Sequence, residues 1–189
     1  NADNHGTWET IRIRNVPTIG SANNQTIYIQ SASWKFLEID PGCYITSPNV
    51  NPYLQMGGDA NGDLTVFLHR GATLFAGVQK YINLNGAALG ELVVTGGAWN
   101  GTSNNGWAIW QESGTLGKLR VQDTTVGAIN QFAAQKSGLT TSPMTVFASG
   151  IHVITGTVPN AIFLTYSNTT IVAAGCVIEN VNNFFFSPQ

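Results

Sequence analysis

A few acidic and basic side chains recur at spacings that could do chemistry together. Glu38 and Asp40 sit two residues apart on an alternating run, and Glu91 opens another such run. Hydrolysis of a sugar chain needs two carboxyl groups about 5 to 10 Å apart, so Glu38, Asp40 and Glu91 are catalytic candidates. His69 joins them, because Arg14, Asp40 and His69 occupy equivalent places in three successive runs. An aspartate between an arginine and a histidine can exchange a proton. The same three residues also make a surface ion-pair ladder worth little. Asp59-Ala-Asn61-Gly-Asp63 is the one metal-like segment, with oxygen-bearing side chains at positions 1, 3 and 5 as in a calcium loop. Leu64 stands where a glycine should follow the third ligand, and no glutamate closes the loop at position 12, so an ordinary Asn-Gly turn reads equally well. His5, His69 and His152 are scattered, and neither a Ser-His-Asp or Cys-His motif nor a glycine-rich phosphate loop is present. No cofactor is expected.

The elements that would position these residues follow from composition and period. Eight Lys+Arg against ten Asp+Glu give the 189 residues a net charge of -2, which argues against nucleic acid or an anionic membrane surface as partner. Charged residues are 10% of the chain, where a soluble domain carries roughly 25%. A surface so poor in charge suits coverage by a partner or neutral hydrogen bonding. No apolar run reaches the roughly 20 residues of a membrane helix, so membrane insertion is not expected. Asn1 is not an initiator, which reads as a processed or trimmed N-terminus.

Gly, Asn, Thr and Ser punctuate short β-rich runs throughout, and only Ala128 to Gln135 resembles a helical turn. A recurrent pattern of apolar, any, apolar, any, any, small or apolar begins at Ile11, Leu37, Val66, Leu92, Leu119, Val146 and Ile171, at spacings of 26, 29, 26, 27, 27 and 25. A second run follows each start by about six residues and a third by about 15 to 18, except that the fifth repeat lacks a clear third run. Three short strands per repeat describe one coil of a parallel β-helix. The fold class expected is therefore all-β: a single-stranded right-handed parallel β-helix of about seven coils over 11–189, with 1–10 as a cap around Trp8. The seven starting residues would stack inward as an aliphatic ladder. A β-sandwich with strands every 8 to 12 residues is the alternative.

The segment from Val66-Phe-Leu-His-Arg-Gly-Ala-Thr-Leu through Gly96-Gly-Ala-Trp-Asn-Gly, and Glu38-Ile-Asp-Pro-Gly-Cys-Tyr-Ile, resemble the pectate-lyase-like, right-handed parallel β-helix superfamily. In character the chain is closest to bacteriophage tailspike and tail-fibre β-helix domains. The resemblance implies a fold more than an activity. Lyases of that superfamily use Ca²⁺ with a basic Arg or Lys, and its hydrolases carry clustered Asp pairs and a Gly-His-Gly segment. Neither set is present here, so catalytic residues do not carry over, and the chain leans towards a non-enzyme.

Alternation turns Arg12, Glu38, Phe67, Val93, Arg120, Phe147 and Val172 outward on the first strands. A solvated face would be mostly polar, so Phe67, Val93, Phe147 and Val172 are expected in an oligomer interface. The resemblance implies a homotrimer, as in phage spikes. On the third strands Tyr28, Tyr53, Tyr81, Trp110 and Phe163 face outward, as platforms for sugars or as a subunit interface. Trp99 and Trp107 fall on inward positions. The C-terminal Phe184-Phe185-Phe186 shows no polar cap, which suits a fragment, packing on another chain, or a folded-back plug. Cys43 and Cys176 fall five coils apart and are not expected to bond. The functional expectation is a non-catalytic structural or receptor-binding module of an extracellular or virion assembly, contacting cell-surface polysaccharide. A secreted subunit stacking end to end into a filament is the second reading. A polysaccharide lyase or hydrolase is the third.

Overall fold

The computed structural model describes residues 10–13, 27–29, 36–41, 44–47, 54–56, 61–76, 80–101, 107–127, 131–136, 139, 144–153, 163–165, 169–179 and 185–186. Among them all regular structure is strand, eighteen in number, and there is no helix. An 11-stranded sheet runs in the order β1 (Thr10–Ile13), β3 (Phe36–Ile39), β6 (Asn61–Ala76), β8 (Ala88–Gly101), β10 (Thr115–Gln122), β13 (Met144–Ser149) and β16 (Thr169–Ala174). Beside this path lie β4 (Tyr44–Ser47), β11 (Thr125–Val126), β14 (His152–Val153) and β17 (Val177–Ile178). A 7-stranded sheet runs β2 (Ile27–Ile29), β5 (Leu54–Met56), β7 (Lys80–Leu84), β9 (Trp107–Gln111), β12 (Gln131–Gln135), β15 (Phe163–Leu164) and β18 (Phe185–Phe186).

Every pairing between these strands is parallel. Parallel neighbours cannot be joined by a tight hairpin. Here the chain leaves the first sheet, adds a strand to the second, and returns to pair beside its own earlier strand. This arrangement is compatible with a parallel β-helix-like fold. The first sheet is partly curled, because β6 and β8 run on to pair with the short flanking strands as well.

The register corrects one feature of the expected ladder. Leu37 pairs with Val66, as the repeat predicts, but Val66 pairs with Val94 and Leu92 pairs with Leu64. The apolar ladder is therefore two columns. One holds Leu64, Leu92, Leu119, Val146 and Ile171; the other holds Leu37, Val66, Val94, Val121, Ala148 and Ala173. The repeat pattern aligned the first apolar residue of each run and did not register that Leu64 extends β6 by two positions. A slip of two residues preserves the face on which each side chain lies, so the inward reading survives. Leu37, Leu92, Leu119 and Val146 are all buried, while Ile171 on the end strand is half-buried. Each fully buried aliphatic side chain contributes on the order of 2 kcal/mol.

The segment 128–135, where neither a strand nor a regular repeat was expected, contributes β12. The reason is Phe132, which is fully buried between Trp99 of the first sheet and Phe163 of the second. Its ring meets Trp99 at 5.7 Å and Phe163 at 6.4 Å, both edge-on, an arrangement that adds to burial itself. Trp99 is in the core as expected. Phe163, expected outward, is in the core too, with Ala133 and Phe185 as its register partners. A shift of one residue in the phase of this short strand reverses the face.

One corner is built from backbone. Asp123, Gly150 and Gly175 follow the register partners Gln122, Ser149 and Ala174, and all three have positive φ, at 49°, 59° and 61°. Only Gly and, at a modest cost, Asp or Asn adopt this conformation readily. The Asp123 and Gly150 amides donate to Ser149 O and Ala174 O, at 3.0 and 3.2 Å, which ties successive corners together. The Thr124 hydroxyl, buried at the same corner, donates to Gln122 O at 2.8 Å.

Candidate functional site

The outer side of the first sheet carries the acidic candidates, and each has an arginine. Arg12 Nε donates to Asp40 Oδ1 at 2.8 Å and lies 3.4 Å from Glu38 Oε2. Arg12, Glu38 and Asp40 thus form one cluster. Arg14 lies outside the described residues, and His69 falls within β6 with its side chain outside them, so of the expected Arg14–Asp40–His69 column only Asp40 is described. Glu91 accepts from Arg120 Nε and Nη2 at 3.2 and 3.1 Å, and the Arg120 guanidinium lies 4.8 Å from the centre of the Phe147 ring. These are partly exposed groups, so each pair is worth little to stability.

The same registers redraw the expected apolar stripe. Val93, Phe147 and Val172 share one column with Phe36, Thr65 and Arg120, whereas Phe67 belongs to the next column with Glu38, Thr95, Gln122, Ser149 and Ala174. Phe67 leaves the stripe for the same reason that Val66 leaves the Leu92 column. Phe67, Val93 and Phe147 are half-buried, while Phe36 and Val172 are 44% and 50% exposed. The stripe is therefore exposed both at Phe36 on β3 and at Val172 on β16, and Val177 on β17 is exposed as well.

Of the aromatic row expected on the second sheet, the side chains of Trp110 and Phe163 are described. Phe163 has moved to the core, Tyr53 lies outside the described residues, and Tyr28 and Tyr81 fall on β2 and β7 with side chains outside them. Trp110 remains half-buried, and Trp107, expected inward, is half-buried beside it, the two rings 4.9 Å apart and tilted by 44°. The backbone partners of these two tryptophans on β7 are Asn83 and Lys80. Close by in sequence, Asn83 Nδ2 donates to Glu112 Oε2 at 3.1 Å, Lys136 Nζ lies 3.9 Å from Glu112 Oε1, and Ser113 Oγ donates to Asn85 Oδ1 at 2.9 Å. The polar groups on these flanking segments are thus the buried Asn83, a Glu112–Lys136 ion pair and the Ser113–Asn85 hydrogen bond.

Of the metal-like segment, Asp59 lies outside the described residues, and Asn61 and Asp63 fall on β6 with side chains outside them; the backbone of Asp63 is in register with Glu91. Among the described residues no group of three or more His, Cys, Asp and Glu is placed to hold a metal ion. Cys176 is a free, half-buried thiol 3.6 Å from Ala174 O; Cys43 lies outside the described residues, as do residues 1–9 of the expected cap. No protein-family model matches the chain, and no curated protein matches it either.

Sequence reasoning missed the polar interior. Asn83, Gln111, Gln135 and Thr165 are each at most 4% exposed. Gln111 did carry a signal, since it stands two residues after the inward Ile109, but a glutamine at such a position is easily read as a strand end.

Proposed function

We propose that the chain is a single-stranded right-handed parallel β-helix of about seven coils with three short strands each, serving as a non-catalytic structural and receptor-binding module of an extracellular assembly. Its leading form is a virion tail-spike or tail-fibre subunit, homotrimeric and contacting cell-surface glycan. The observation that carries this reading is the column of Phe36, Val93, Phe147 and Val172, apolar side chains that recur on the outer side of the parallel first sheet with Thr65 and Arg120 between them. A stripe of this kind on a chain with only 10% charged residues suits burial against copies of itself. The Trp107–Trp110 pair supports the glycan contact. The pairing of Glu38, Asp40 and Glu91 with arginines weighs against a polysaccharide lyase or hydrolase.

A filament of end-to-end subunits is the second reading. It is favoured by β16 and β17, whose Val172 and Val177 are exposed at an edge of the first sheet, where backbone groups invite a further strand.

Light scattering on the unmodified protein and on Phe147→Glu tests the leading form. The expected result is about three times the chain mass of 20.2 kDa for the unmodified protein and one chain mass, still folded, for the variant. A monodisperse monomer before substitution refutes it, and long polymers unaffected by Phe147→Glu favour the filament.

A further inference from the structure

Between the sheets lies a polar seam that the outer faces do not explain. Gln111, Gln135 and Thr165 are each 2% exposed. Gln135 Nε2 donates to Gln111 Oε1 at 2.8 Å, and Gln111 Nε2 donates to Gly114 O at 3.1 Å. The seam thus runs from the turn at Gly114 across β9 to β12. In the next layer the buried Thr165 Oγ1 has no hydrogen-bond partner among the described residues. A buried hydroxyl without a partner costs roughly 1 to 3 kcal/mol, and native interiors rarely retain one. All three polar residues line one small cavity of about 10 Å³, walled otherwise by apolar side chains that include Leu119, Met144 and Phe163. That volume is close to the least that admits one water molecule, and nothing larger fits.

We propose that this cavity is a binding site for a single ordered water, which bridges Thr165 Oγ1 to the Gln135 side chain and continues the seam into a third layer. A glutamine carbonyl oxygen accepts two hydrogen bonds and a threonine hydroxyl both donates and accepts, so the two side chains supply the minimum of two partners that a buried water requires. The seam then runs unbroken from Gly114 O to Thr165. It fixes β9, β12 and the residue after β15 in one register, since a slip of one residue would bury several unpaired polar groups at once.

Two measurements test this, both on the whole chain. In a high-resolution crystal structure of the unmodified protein, one water is expected within hydrogen-bonding distance of both Thr165 Oγ1 and a Gln135 side-chain oxygen or nitrogen. In urea unfolding, Thr165→Val is expected to lower the folding constant by roughly fivefold, because the bridged hydroxyl is lost and the water is left short of a partner. If the hydroxyl is unpaired, the near-isosteric valine removes a penalty and the folding constant rises. Either that rise or a dry cavity in the crystal overturns the proposal, and the crystal result stands if the variant does not fold.

Discussion

Replacement of Leu92 by aspartate probes the inward column at its centre. Leu92 is fully buried, with Leu64 and Leu119 as its backbone partners on either side. Truncation to alanine removes the contacts with both neighbouring layers and leaves a cavity, which costs about 2 to 5 kcal/mol. Aspartate adds to that loss an unpaired carboxylate between aliphatic rows, for a total of several kcal/mol. Against a typical total stability of about 5 to 15 kcal/mol, Leu92→Ala should remain folded with a lowered midpoint, and Leu92→Asp should be largely unfolded at neutral pH. The aspartate also leaves a pH signature. Burial raises its folded-state pKa above the unfolded value near 3.9. The charge-related part of the deficit is therefore absent below about pH 4 and grows as pH rises from there towards the folded-state pKa. Urea unfolding followed by circular dichroism at about pH 4 and pH 7 reads both effects, with Leu92→Ala as the reference that carries no charge. A Leu92→Asp midpoint equal to that of the unmodified protein would refute the inward column. A deficit beyond that of Leu92→Ala that does not change with pH would refute burial of the carboxylate.

Gly114→Ala should cost at least about 2 kcal/mol, since φ there is +83° and an added Cβ would collide with Ala87 O; unchanged thermal unfolding would show that the turn is not held this way. Arg120→Ala should change the stability of the isolated chain by no more than about 1 kcal/mol, because its partners Glu91 and Phe147 lie on a partly exposed face. The effect should shrink in high salt, and a salt-independent loss of several kcal/mol would contradict that placement. Peptide mapping should find Cys176 as a free thiol with no bridge to Cys43. Their neighbours Tyr44 and Val177 belong to one line of register partners five layers apart, about 24 Å at roughly 4.8 Å per layer. A Cys43–Cys176 disulfide would overturn the stacking order.

Period and alternation were legible in the residues because parallel strands impose both. Leu37, Leu92, Leu119 and Val146 could be assigned to the interior without coordinates, and Trp99 likewise. The register between the third and fourth repeats was not legible, because Leu64 and Val66 are both apolar and stand two residues apart on one strand, so either aligns with Leu92. Phe163 was misplaced because Ile162, Phe163 and Leu164 are all apolar and give no alternation to set the phase. β12 was obscured by Ala133 and Ala134, which favour helix by propensity and are held in a strand by Phe132 packing between Trp99 and Phe163. On the outer faces the candidate carboxylates could be found by type. Their arginine partners could not, since Arg12 and Arg14 stand two residues apart in the sequence and alternation alone does not distinguish them. The Trp107–Trp110 pair arises because Trp107, assigned inward by alternation, lies half-buried against its neighbour's ring.

The parallel stack and its register underlie both the proposed interface and the proposed fold, and disulfide trapping tests them most directly. In a chain with Cys43 and Cys176 replaced by serine, Thr65→Cys with Val93→Cys joins two half-buried positions that are register partners on adjacent parallel strands. Their Cα atoms are about 5 Å apart, within reach of a disulfide. Phe67→Cys with Val93→Cys joins positions offset by two residues, about 8 Å apart and beyond that reach. Under mild oxidation the first pair should close intramolecularly, as judged by mass and by migration of the denatured chain, and the second should stay reduced. Closure of the second pair with the first left open would place Phe67 beside Val93, as an even repeat requires, and closure of neither would contradict the parallel stack itself.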